Sequence, residues 1–402
     1  MKRLNGTGAS VFAVDTKHVG VLDGVRALGV LCVLWFHFWQ QTWLMPIYET
    51  PFLAWAGVAR INPDVIRRVG YLCVDLMLLL SAFVLYLPYA RNTFCGTPVD
   101  SVRVFFKKRF ARIVPSYLFA VIVMFAVATG RGEYAGRSAF ALKDLLTHLT
   151  FTQMLFNDTF LFTAITAVMW TVCIEVAFYL VFPWLARAFQ RKPLLIYATM
   201  LLVGIWFAND VSPAIGEPRV MVNRFLTFLP VFANGMMAAH LYVWYADRVR
   251  RKAIPSIFGT VAAIGALVVI AKLFQSCSVA GVASNQQVWQ MRYRVPLSFA
   301  FTVFLLGASV SAKPVRKILD NRVLAAIAAV SYNLYLWHQW LIVKLCGAFD
   351  AKSGADIAAK GANTQWTVTI TGLAIAFIAA ALITYGIEKP MSKLILYTGK
   401  EK

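Results

Sequence analysis

The stretch Leu22 to Gln40, LDGVRALGVLCVLWFHFWQ, is apolar enough to cross a bilayer, yet it carries Arg26 and, eleven positions on, His37. An ideal helix turns ~100° per residue, so eleven steps make ~1,100°, three turns plus ~20°. Both side chains therefore lie on one face, about 16 Å apart along the axis, roughly half of a hydrocarbon core ~30 Å thick. The stretch reads as a membrane helix with two ionisable stations on one inward-facing stripe.

Composition extends that reading to the whole chain. Of its 402 residues 60% are hydrophobic and 14% charged, against about a quarter charged in soluble domains, and the mean hydropathy is +0.67. These values exclude a soluble globular protein. Apolar runs long enough to span occur at about 22–44, 71–90, 113–130, 168–187, 194–209, 224–245, 253–275, 293–312, 325–347 and 365–386. They predict an all-α polytopic membrane protein of about ten helices in one bundle. With a cytoplasmic N-terminus, ten spans return the C-terminus to the same side. The segments then inside hold about two thirds of the 39 Lys and Arg. That bias fits the positive-inside rule and explains the net charge of +21 without nucleic acid. Residues 1–21 are expected to be a cytoplasmic segment, 22–390 the membrane domain, and 391–402 a short basic tail. The polar N-terminus has no cleavage pattern, so the first span is expected to stay as a signal anchor. The location expected is a cell membrane, the cytoplasmic one if the source is bacterial. Six scattered cysteines offer no CxxC pair and no zinc spacing, so they read as small core residues and no metal is expected.

Ionisable side chains inside spans are costly and mark function by default. In the outer half of the bundle this orientation places His37, Asp75, Glu175 and His338, each a few residues from an outer end. Four titratable groups at similar depth predict one shared chamber. An imidazole beside a carboxylate is a normal general-base pair, since the carboxylate orients the ring and stabilises imidazolium. The plainer alternatives are an interhelical hydrogen bond for a membrane histidine and a headgroup-level position for Asp75. Glu175 lies mid-run in MWTVCIEVAFYLVFPW with no local cation. His18, His148 and His240 receive no role.

Towards the inner side, SVRVFFKKRFARIVPSY carries Lys108, Arg109 and Arg112 just before a span. Such a run is by default a basic flank attracted to anionic lipid. Arg109 and Arg112, however, stand i,i+3 on one helical face, and forked guanidiniums suit a phosphate-rich ligand. With Arg26 at the same depth, three arginines could bind phosphates below His37.

Taken together, these segments resemble the acyltransferase-3 family of integral-membrane O-acyltransferases. Arg26 and His37 in LDGVRALGV resemble its Arg-x10-His signature. CVDLMLLLSAFVLY keeps Asp75, Ser81 and Phe83 of a second motif. FFKKRFARIVPSY is similar to an FxxRRxxRIxPxY run, keeping Arg109, Arg112, Pro115 and Tyr117, with Lys108 for the first Arg. MWTVCIEVAFYLVFP keeps Trp170, Glu175, Tyr179 and Pro183 of a fourth, and SYNLYLWH (Ser331 to His338) and IEKP (Ile387 to Pro390) look like the closing motifs. The chain departs from the pattern at Ala27, Ala82, Cys73 and Val176, the last replacing the second Glu of an EE pair.

The resemblance implies transfer of an acyl group, commonly acetyl from acetyl-CoA, to a hydroxyl of a glycan, lipid-linked sugar or small-molecule acceptor. It gives the arginines a ligand, because CoA carries a pyrophosphate and a 3′-phosphate. Its pantetheine arm spans on the order of 15–20 Å, close to the rise from Arg26 to His37. The expected catalytic set is His37 as base with Glu175 or Asp75 orienting it. Arg26, Lys108, Arg109 and Arg112 are expected on the donor, and Ser81, Trp170, Tyr179, Tyr332 and His338 around the chamber. Direct attack and an acyl-His37 intermediate are both open, as are transfer within the membrane and completion by a separate extracytoplasmic partner. The rival reading is a proton-coupled transporter or exporter using His37, Asp75 and Glu175 as a relay; a third is a non-catalytic sensor.

Overall fold

In the computed structural model the described residues are 19–44, 48–49, 60–61, 64–249, 256–280 and 283–397. Residues 1–18 and 398–402, from the expected N-terminal segment and basic tail, lie outside them. The fold is a helical bundle. Its principal helices are α1 (Gly20–Thr42), α2 (Cys73–Cys95), α3 (Val102–Gly130), α4 (Ser138–Leu149), α5 (Trp170–Arg191), α6 (Pro193–Trp206), α7 (Leu229–Val249), α8 (Ser256–Ser278), α9 (Ala283–Val310), α10 (Arg322–Ala348), α11 (Ala362–Ile383) and α12 (Lys389–Tyr397). A π-helical turn, Thr384–Glu388, joins the last two into one run, and the β-structure among the described residues is a two-residue antiparallel pair, Tyr48–Glu49 with Arg60–Ile61.

Among the described residues nine helices are long and apolar enough to cross a membrane. The expected span at 325–347 forms too, as the 27-residue α10, which is not among the nine. It carries Ser331, Asn333, His338, Gln339 and Lys344, and its polarity is tolerable because protein covers most of those groups: Ser331, Asn333 and His338 are buried. The molecule is thus a multi-pass membrane protein.

Local sequence explains where helices stop and start. Gly96, at φ +69°, ends α2 in the left-handed region that Gly adopts at little cost. Ser101 caps α3 by accepting from Val104 N at 3.3 Å, and Asn321 caps α10 by accepting from Val323 N and Leu324 N, both at 3.0 Å. In hydrocarbon, helix association depends on close packing. α1 packs on α10 and α2, α2 on α7, α8 on α9, and α10 on α11. Gly235 of α7 sits against the Leu79 carbonyl and Ala82 of α2, with no room for a Cβ. The outermost helices show their apolar side chains, as at Leu194 (75% exposed) in α6 and Phe258 (72%) in α8, where lipid replaces protein.

The connection from α3 to α5 folds over one face of the bundle around buried Asp144. Its Oδ2 accepts from Tyr134 (2.6 Å), Thr163 (2.9 Å) and Ala164 N (3.3 Å), and Oδ1 lies 3.1 Å from His148 Nδ1. Burial, and then the Asp144 carboxylate, push the Tyr134 phenol above its ordinary value. At the opposite face, Lys107 near the start of α3 donates to Leu396 O near the end of α12 at 3.2 Å. The face that holds the start of α3 therefore also holds the end of the described chain.

Candidate active site: two cavities that share a wall

Two cavities enter the bundle from opposite faces. The inner one, about 380 Å³, is lined by Arg26 of α1, Ser81 of α2, Arg109 and Arg112 of α3, Glu175 and Tyr179 of α5, and Tyr332 of α10. The outer one, about 840 Å³, is lined by His37 and Gln40 of α1, Trp170 of α5, Gln290 of α9 and Gln339 of α10, among others. Val74 and Tyr335 line both, so they form the common wall. α1 is unbroken between Arg26 and His37, which keeps their rise of about 16 Å. One residue thus stands in each cavity.

The inner cavity is built around charge. Arg26 lies 3.6 Å from Asp23, and Arg112 Nη1 lies 3.8 Å from Glu388 Oε1. Arg109 has no carboxylate partner among the described residues; its guanidinium lies 5.9 Å from the Phe105 ring and 6.0 Å from that of Tyr179, and its buried Nε has no hydrogen-bond acceptor. Glu175 Oε1 accepts from Ser81 Oγ at 2.6 Å and from the Tyr179 hydroxyl one turn on. Tyr332 donates to Ile113 O at 3.1 Å, two residues before Pro115. Three guanidiniums around a half-enclosed cavity are suited to a polyphosphate.

In the outer cavity His37 is held by amides. Nδ1 is 3.0 Å from Gln40 Oε1 and 3.3 Å from Gln339 Nε2. The shorter contact takes Nδ1–H as donor, which leaves Nε2 with the lone pair. His338 packs beside it, ring centroids 5.1 Å apart. Its Nδ1 meets two carbonyls, Tyr335 O at 2.7 Å and Leu334 O at 3.1 Å, so the proton sits there. The remaining His338 Nε2 is buried without a partner.

The sequence placed His37, Asp75, Glu175 and His338 in one chamber with a carboxylate orienting His37; the structure separates them. Glu175 opens into the inner cavity and is bonded to Ser81 and Tyr179. Asp75 faces neither cavity: its Oδ2 accepts from buried Arg294 Nε at 3.1 Å. On α2 the stripe Val74, Met77, Leu78 and Ser81 lines the inner cavity, and Asp75 is one residue, ~100°, off it. His338 does meet His37. Lys108, expected on the donor, stands outside the main inner cavity and donates to Asp100 Oδ2 at 2.6 Å, both half exposed. Trp170 lines the outer cavity, its ring 5.8 Å from that of Phe228.

Several residues escaped the sequence reading. Gln40 and Gln339 are neutral, so nothing marked them. Arg294 lies at the edge of the run 293–312 and met the same rule that flagged Asp75. It also donates to Val222 O and Thr227 Oγ1, both at 2.7 Å, tying α2 to α9 and to the segment before α7. Glu388, in the late IEKP stretch, joins Arg112 and accepts from Asn333 Nδ2 at 2.7 Å, so the two closing motifs and the arginine run meet in one network.

The chain is similar to the acyltransferase MdmB of Streptomyces mycarofaciens, 24% identical over 93% of this chain and 92% of that protein. It is also similar to the peptidoglycan O-acetyltransferase OatA of Listeria monocytogenes serovar 1/2a, 23% identical over 81% of this chain but only 50% of the relative, so it spans about half of that protein. No solved structure matches. The family model described as an acyltransferase domain matches residues 19–385, nearly the whole chain, and the protein accordingly belongs to the acyltransferase-3 family of membrane acyltransferases.

Proposed function

We propose that the protein moves an acyl group, most simply acetyl, from acyl-CoA in the arginine-lined cavity to a hydroxyl of an acceptor in the outer cavity. The observation that carries this reading is the shared wall: an arginine site and a histidine site open to opposite faces and meet at Val74 and Tyr335. Arg26, Arg109 and Arg112 hold the donor phosphates at the face that the positive-inside bias assigns to the cytoplasm. The pantetheine arm, on the order of 15–20 Å, extends along α1 towards His37.

His37 Nε2 takes the proton of the acceptor hydroxyl as its oxygen attacks the thioester carbonyl carbon. The C–O bond forms, the C–S bond breaks, and the CoA thiolate leaves and recovers a proton. With no carboxylate bonded to it among the described residues, His37 is oriented instead by Gln40, and the ring of His338 beside it offers a second nitrogen able to share the proton. Glu175 acts in the inner cavity, where with Ser81 and Tyr179 it presents a polar cluster to the donor arm.

Transfer of radiolabel from acetyl-CoA by membrane vesicles holding matched amounts of wild type, His37→Ala and Arg109→Ala/Arg112→Ala tests this. Loss of a positioned base costs about 10²–10⁴-fold in rate. The arginine variant is expected to recover at high donor concentration, since it loses binding and keeps the base. Full activity in His37→Ala, or no transfer by wild type with any acyl-CoA, would refute the reading and bring the transporter forward.

A further inference from the structure

Val74 and Tyr335 each line both cavities, so the wall between donor and base is there a single side chain thick. The two halves differ in kind. Val74 stands at the start of α2 beside Asp75, whose carboxylate is fixed by Arg294. A valine is also stiff about χ1, so this half is a fixed post. Tyr335 is buried on α10, one turn from Ser331 in the inner cavity and one turn from Gln339 in the outer. Its hydroxyl donates to Val168 O at 3.2 Å, and Thr171 Oγ1 donates to the same carbonyl at 3.1 Å.

That carbonyl belongs to a strap, residues 163–169, that leads into α5. Thr163 Oγ1 and Ala164 N tie the strap to Asp144 Oδ2, and Thr166 Oγ1 donates to Gln339 Oε1 at 3.4 Å. Gln339 Nε2 in turn lies 3.3 Å from His37 Nδ1. Ala167 and Val168 line the outer cavity. A molecule seated there therefore meets the segment that holds Tyr335 and that reaches the amide beside the base. A closed wall also has a chemical use. A thioester standing at His37 without an acceptor is open to water, whose oxygen adds to the carbonyl carbon. The C–S bond then breaks, giving the free acid and the CoA thiol, and closing off water prevents such loss.

We propose that Tyr335 is the gate of this wall and decides whether the acyl group goes to an acceptor or to water. Latched on Val168, it keeps the thioester in the inner cavity. An acceptor seated against Ala167 and Val168 loosens the latch, and the ring turns to let the thioester through to His37. This rests on the acyl-transfer reading for the group that passes; the barrier itself does not.

The barrier is tested without chemistry by cysteine labelling of the full chain in sealed vesicles. Ser331→Cys places a thiol in the inner cavity, and an anionic, membrane-impermeant methanethiosulfonate is added from either side. Labelling from the arginine side is expected in every variant and shows that the thiol is reachable; the same variants without Ser331→Cys give the background of native thiols. From the histidine side, Tyr335 is expected to block the reagent. A neutral hydrogen bond shifts an equilibrium by up to about tenfold, so Tyr335→Phe should speed labelling from that side by up to that factor, and Tyr335→Ala by more. Equal rates from that side in wild type and Tyr335→Ala, or no labelling in Tyr335→Ala, would overturn the proposal. Where Tyr335→Ala yields no folded protein, an unchanged rate in Tyr335→Phe would do the same. Release of CoA thiol from acetyl-CoA without acceptor is followed on the variants lacking Ser331→Cys. It is expected to rise in Tyr335→Ala and to fall back when His37→Ala is added. A wall that opens to the reagent with no thiol release in any variant would instead refute the acyl-transfer reading, so the two failures are seen apart.

Discussion

Replacing Asp75 with Ala separates a structural carboxylate from a catalytic one. Its side chain is fully buried and that of Arg294 is 3% exposed, with Nε donating to Asp75 Oδ2 at 3.1 Å. Removing one partner of such a pair leaves an uncompensated buried charge, at a cost of about 3–5 kcal/mol. Arg294 keeps its bonds to Val222 O and Thr227 Oγ1, which soften the loss without neutralising the charge. Unfolding entropy of about 2.1 cal/mol/K per residue gives ~0.8 kcal/mol/K for a chain of this length, so ~4 kcal/mol lowers the melting temperature by ~5 °C. Helices that stay formed in detergent reduce that entropy and enlarge the shift. Asp75→Asn keeps an acceptor but not the charge, and should fall between wild type and Asp75→Ala. Asp75→Ala/Arg294→Met removes both charges and should recover most of the stability, because paired replacement by apolar groups is often neutral or better. The assay is the melting of purified protein by intrinsic fluorescence, with acyl transfer measured on the same samples. A double variant no more stable than Asp75→Ala would refute the charge-compensation argument. A stable but inactive double variant would return Asp75 to catalysis.

Lys108→Ala should change donor KM less than about twofold, because an exposed pair such as Lys108–Asp100 is worth about 0–1 kcal/mol and lies outside the main cavity. Arg109→Ala, measured beside it, should raise KM by about tenfold or more, as charge-assisted bonds of about 1.5–3 kcal/mol are lost; equal effects would count against the assignment of the phosphate site. His338→Phe should lower kcat by about tenfold with donor KM unchanged, if the second imidazole shares the proton of His37, and a wild-type pH–rate profile in that variant would speak against it. Gly235→Leu should prevent α7 from closing on Leu79 and Ala82 and lower the yield of folded protein, with Gly235→Ala milder; wild-type melting in both would show that the contact is not tight.

Much of the candidate site's geometry was legible because membrane sequences expose their exceptions. Arg26, Arg109 and Arg112 could be grouped from helical phase and depth, and the structure gathers all three into one cavity. Depth is readable from distance to a helix end, and Glu175 and His37 do stand at comparable distances from theirs. Which way a side chain points around its helix is another matter. Asp75 and Ser81 share α2, yet one turns to Arg294 and the other to Glu175. Neutral partners such as Gln40 and Gln339 were invisible, since an amide in an apolar run carries no signal of what it will touch.

By itself, the sequence determined the membrane class, the positions of the spans, the face on which basic residues gather, and the arginine and histidine set on one helical stripe. Those properties follow from hydropathy and helical periodicity, which act along the chain. Only the tertiary structure decided that the ionisable groups divide between two cavities, that Asp75 belongs to Arg294, and that His37 answers to amides and a second imidazole. Those outcomes depend on how each helix is rotated against its neighbours. That rotation is set by close packing, as where Gly235 lets α7 meet α2, and local patterning does not encode it.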